Sequence, residues 1–95
     1  MMSKILEIAK NSDHVSRVSP WKDRVYLSLE GFDASVRGDR NLKVWIKGDI
    51  LTVECANGSP TSGILASLHG LTDAIIAAGG ERKGYSDSIN ATYTL

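Results

Sequence analysis

A single cysteine, Cys55, is all the chain holds, so no internal disulfide can staple it and disulfide-rich secreted scaffolds are excluded. Long apolar runs are missing too. None approaches the roughly 18 consecutive residues that a membrane-spanning helix needs, and no membrane partner is expected. Net charge is absent: eleven lysines and arginines balance eleven aspartates and glutamates, far from the strongly basic balance of a dedicated DNA-binding domain. Histidine is scarce, and His14 and His69 show no metal-ligand spacing with Cys55 or with a carboxylate pair. The glycines and cations of residues 79–84 (GGERKG) follow a helical pattern instead of opening one, so they lack the helix N-terminus that phosphate loops use. Cys55 has no sequence-adjacent base and reads as a small buried residue. The expectation is a protein that is not an enzyme, with no cofactor and no bound metal. The opening segment MMSKILEIAKNSDH has too short an apolar core for a signal peptide, which together with the lone cysteine points to a cytoplasmic protein.

What is present is an ordinary globular composition. Ninety-five residues, 42% of them apolar, suit one core and a single domain over residues 1–95. The charges are unevenly placed. Between Arg17 and Lys47 seven basic residues stand against four acidic ones, and between Gly48 and Leu95 two stand against five. This asymmetry reads either as a basic surface that could meet an acidic partner or as ordinary scatter on a solvated surface.

Periodicity supplies the elements. Residues 3–11 put Ile5, Leu6, Ile8 and Ala9 on one helical face. Residues 14–18 form a short strand, and residues 19–23, with Pro20, a turn. Residues 24–29 and 42–47 alternate as half-buried strands around a polar loop at 31–41, and Gly48-Asp49 makes a tight hairpin to a strand at 50–56. Ser59 is placed to cap a long helix with Pro60 in its first turn, and Gly79-Gly80 ends it. Residues 81–88 read as a polar connector, and residues 89–95 as a last strand. The order implies an α+β fold: an antiparallel sheet of four to five strands, one long helix packed on one face and a short N-terminal helix. Its core would join Ile64, Leu65, Leu68, Leu71, Thr72, Ile75 and Ile76 of the helix to Val25, Leu27, Leu29, Leu42, Val44 and Ile46 of the sheet.

The long helix is unusual in its charge. Residues 61–78 (TSGILASLHGLTDAIIAA) carry Asp73 alone, whereas a surface helix normally shows a charged back. Ala66, Ser67, Gly70, Ala74 and Ala77 fall on or beside that back. Small residues let a second helix approach closely. That helix would be the N-terminal one, or the same helix of another copy in a homodimer; otherwise the back is simply solvated.

Two groups of residues suggest binding. Trp45 lies between Lys43 and Lys47 on the non-core side of its strand, with Tyr26 one strand away and Trp21 at the nearby turn. Such a face could be packed under another element, anchor a protein partner, for which Trp, Tyr and Arg are favoured, or stack nucleic-acid bases. Arg37 and Arg40, in the 31–41 loop, either grip an anion with their guanidinium forks or pair within the loop.

The segments WKDRVYLSLEGF and GDRNLKVWI resemble those of small accessory proteins from phages and mobile elements, a group that includes inhibitors of host defence. The resemblance implies a small, non-catalytic binder and carries over no functional residue. The expected function is therefore occlusion or bridging of a macromolecular partner, a protein first, with binding of a nucleic acid or nucleotide by the basic, aromatic sheet face as the alternative.

Overall fold

The structure, a computed structural model, describes residues 2–31, 42–55, 62–85 and 90–95. Helix α1 (Lys4–Lys10) is followed by strands β1 (Val15–Trp21), β2 (Arg24–Leu29), β3 (Leu42–Lys47) and β4 (Ile50–Cys55), helix α2 (Ser62–Ala77), and strands β5 (Glu81–Tyr85) and β6 (Ala91–Thr94). All six strands form one antiparallel sheet in the order β1-β2-β3-β4-β6-β5. The fold is α+β, with six strands where four to five were expected.

The added strand is β5. It pairs with β6 along the sheet edge, Glu81 opposite Thr94 and Lys83 opposite Thr92. Its described side chains are exposed, so the alternation that marks a half-buried strand is missing and the segment reads as a connector. The other edge brings a second correction. β1 runs through Pro20 to Trp21, and the turn falls on Lys22-Asp23. Proline cannot donate to a ladder, but an edge strand has one side with no ladder to feed. Lys22 adopts a φ of 55° to close the turn.

Alternation sorts the sheet into two faces. Leu27, Leu29, Leu42, Val44, Ile46, Leu51, Val53, Ala91 and Tyr93 point inward and are buried. Ile5 and Ala9 of α1 and Ile64, Leu68, Leu71 and Ile75 of α2 join the same cluster, so both helices cover this one face. Ile76, expected in the core, is 48% exposed, Val25 is half-buried at its margin, and Leu65 is half-buried. At its C-terminus α2 closes as the glycines predict. Gly79 takes φ 101°, and the Gly80 and Gly79 amides donate to the carbonyls of Ile75 (2.9 Å) and Ile76 (3.0 Å), a pairing that satisfies two end carbonyls. The proposed cap at Ser59-Pro60 lies outside the described residues.

Helix α1 is short and needs external help, since an isolated helix of this length is unstable in water. Its first turn gets it twice. Ser3 Oγ accepts the Leu6 amide at 3.0 Å, and Asp49, in the β3–β4 turn, accepts the Lys4 amide at 2.8 Å.

Candidate functional site

The opposite face of the sheet carries neither helix. Register places its side chains in rows across the strands. Ser19, Tyr26, Trp45, Thr52, Thr92 and Lys83 form one row, and Trp21 and Arg24 begin the next, beside the two tight turns. Lys43 stands opposite Glu54 on the third. This outer face is not uniformly open, because Ser28 is buried on it (2% exposed). The end beside the two tight turns carries Trp21 and Lys47, exposed, and Arg24, Tyr26 and Trp45, half-buried; Lys43, Glu54 and Lys83 are exposed elsewhere on the face.

At that end, side chains from three strands and one turn converge. Tyr26 and Trp45 are directly paired across β2 and β3, with ring centroids 6.2 Å apart and planes tilted by 45°, within the range in which aromatic pairs attract beyond simple burial. Trp45 is half-buried. The Arg24 guanidinium lies over its ring, 5.0 Å from the centroid, a cation–π placement that also restricts the side chain. Trp21 is 62% exposed, with the Lys22 ammonium 5.6 Å from its ring. Asp23 bridges the cations: Lys47 Nζ is 3.1 Å from its Oδ2 and Arg24 Nε 3.8 Å from its Oδ1. The hydrogen bond and attraction of Lys47, with a smaller pull from Arg24, hold the Asp23 carboxyl below the usual aspartate range.

The expected sheet-face residues Trp45, Lys43, Lys47, Tyr26 and Trp21 thus share one face, as alternation implied. Arg24 and Asp23 were not among them. The signal was present in the sequence, since Arg24 opens the alternating strand two residues before Tyr26 and so falls on the same side. Arg37 and Arg40 lie outside the described residues.

The small residues of α2 do not act as one surface. Ser67 is buried, and its hydroxyl donates to the Glu30 carbonyl at 3.0 Å. That bond corrects its assignment to an exposed back: the side chain serves the contact between α2 and the end of β2. Gly70 and Ala74 line a groove of about 600 Å³ between α1 and α2, and the His14 imidazole sits where a Gly70 side chain would begin. Helix α1 contacts α2 on this side. Ala66 and Ala77 are exposed.

Glu7 and His14 both line this groove. No hydrogen bond or ion pair joins them, so neither is held as a proton donor or acceptor for the other. Among the described residues no three His, Cys, Asp or Glu side chains converge in a way that could hold a metal ion, and no helix is long and apolar enough to cross a membrane. Comparison with family models, curated proteins and solved structures gives no match.

Proposed function

We propose that the protein is a small non-enzymatic binding protein that occludes or bridges a protein partner through the outer face of its sheet. The observation that carries this reading is the cross-strand pair of Tyr26 and Trp45 on the face that neither α1 nor α2 covers, with Arg24 laid over the indole and Trp21 exposed beside it. Buried Trp, Tyr and Arg anchors supply most of the energy of protein interfaces. A half-buried indole held in place by its neighbours loses little freedom when a partner covers it.

Charge favours a protein over a nucleic acid. Asp23, Glu54 and Glu81 are interspersed with the cations of this face, Asp23 paired with Lys47 and Glu81 with Lys83 at their sides. A phosphate backbone is best met by cations alone, whereas mixed charge suits the polar rim of a protein interface. The resemblance of the segments around Trp21 and Trp45 to small phage accessory proteins agrees with a binder that inhibits by covering its target. Binding by the sheet face requires no second copy of the chain.

The test is a complex reconstituted from purified components, after capture of a partner from the native host. Trp45→Ala and Trp21→Ala should each weaken it by about tenfold or more while circular dichroism and thermal midpoint stay near wild type. Salt should slow association more than it weakens the equilibrium. An affinity that falls steeply with salt for oligonucleotides, with no protein captured, would replace this reading by a nucleic-acid-binding one.

A further inference from the structure

We infer that the corner formed by Arg24, Trp45 and Lys47 is a carboxylate-recognition site for an acidic peptide segment of the partner, and that Asp23 fills it in the unbound chain. The inference rests on the binding reading above and states the chemistry of what binds.

Asp23 shows that the corner already accepts a carboxylate. One of its oxygens lies 3.1 Å from Lys47 Nζ and the other 3.8 Å from Arg24 Nε. The first is a good charge-assisted contact. The second is too long for a hydrogen bond, so the turn brings its carboxylate to the guanidinium without using the fork. Arginine recognises carboxylates best through two parallel N–H donors. A carboxylate arriving from outside, free of the turn, can take that geometry.

The guanidinium is also prepared for this. It is laid over the Trp45 ring at 5.0 Å, which limits its rotation, and a donor fixed in place loses less on binding. Asp23 is a weak competitor by comparison, because its side chain and that of Lys47 are each 62% exposed and exposed pairs contribute little.

The surroundings call for more than one acid. Lys22 belongs to the same end of the sheet and has no ion pair among the described residues. Together with Arg24 and Lys47 it outnumbers Asp23, so this corner attracts a run of carboxylates and repels a basic segment. The exposed Trp21 ring beside it offers an apolar contact to a side chain flanking those acids.

Poly-L-glutamate is a suitable probe, with poly-L-lysine and a single-stranded oligonucleotide as controls, read by tryptophan fluorescence at low ionic strength. Wild-type protein should bind polyglutamate and not polylysine. Asp23→Asn should tighten binding by roughly two- to fivefold, the range expected when an exposed pair is removed. Arg24→Gln and Lys47→Gln should each weaken it by about tenfold, and Lys10→Gln, on α1, should leave it unchanged. The inference is overturned if Asp23→Asn binds no tighter, if Lys10→Gln loses as much as Arg24→Gln, or if the oligonucleotide binds and polyglutamate does not. A reconstituted partner that depends on Trp45 but tolerates Arg24→Gln would remove this inference and leave the protein-binding reading in place.

Discussion

The carboxylate of Asp49, in the turn between β3 and β4, accepts the backbone N–H of Lys4 at 2.8 Å. A residue at the tip of a hairpin therefore caps a helix that is distant in sequence, and it ties α1 to the sheet before any apolar contact is counted.

Asp49→Ala should destabilise the protein by about 1 kcal/mol, the usual effect of losing a side-chain cap. Asp49→Asn, which keeps an acceptor oxygen, should recover most of it. Urea unfolding measures both. No loss in the alanine variant would show that water replaces the carboxylate at no cost.

Two glycines should respond oppositely to alanine. At Gly70 the three nearest atoms to the new methyl all belong to the His14 ring, and His14 is exposed, so it can swing aside. Gly70→Ala should stabilise the protein by several tenths of a kcal/mol, and by the full helix-propensity gain of about 1 kcal/mol when combined with His14→Ala. At Gly80 the methyl meets the Ile75 side chain at 2.6 Å, its carbonyl oxygen at 2.7 Å and the Thr94 carbonyl at 3.0 Å. Backbone cannot swing aside, and Gly80→Ala should cost about 1–3 kcal/mol. Thermal unfolding of the three variants decides the matter.

Neighbouring isoleucines on α2 give a sharper contrast. Ile75 is fully buried, and Ile75→Ala should cost about 2–5 kcal/mol. Ile76 is 48% exposed, and Ile76→Lys should change stability by no more than about 0.5 kcal/mol. A large loss at Ile76 would mean that its exposed half is covered in solution.

Acid should act on the pairs at Asp23 and Glu81. Both carboxyls are held below their ordinary range, Asp23 by Lys47 and Glu81 by Lys83. The unfolded chain therefore binds protons first, so the stability these groups contribute is complete above the ordinary carboxylate value, about pH 4, and is lost as pH falls through the lower folded values. Carboxyl titration by NMR should show the Asp23 midpoint moving up in Lys47→Gln and the Glu81 midpoint unmoved.

Most of the fold was legible wherever one face was wet and the other dry. β2, β3 and β4 alternate because the helices cover a single side, and α2 stops at Ala77 with Gly79 supplying the positive φ that closes its C-terminus. β5 was hidden by its place at the edge, where Arg82 lies in register with the buried Tyr93 yet stays exposed. Pro20 misled in the same way, since a proline that signals a turn in a central strand is harmless at an edge. For the site, alternation put Trp45, Lys43, Lys47 and Tyr26 on one side of the sheet. Arg24 shares that side by the same alternation, but its placement over the Trp45 ring comes from the β2–β3 register, which alternation alone does not give. Ser67 could not be read at all, because its burial comes from a carbonyl at the end of β2, far away in sequence.

The sheet's strand order has a consequence for the ribosome. β5 precedes β6 in the chain, yet β6 lies between β5 and β4. When β5 emerges it has no ladder to join, and it must wait for the strand synthesised after it. The four strands before α2 can zip up in order of appearance, whereas the last two must dock as a preformed hairpin or one after the other with the later strand first. Until then the β4 edge is bare, and a nascent chain stalled between Tyr85 and Ala91 would expose it to any other strand in reach.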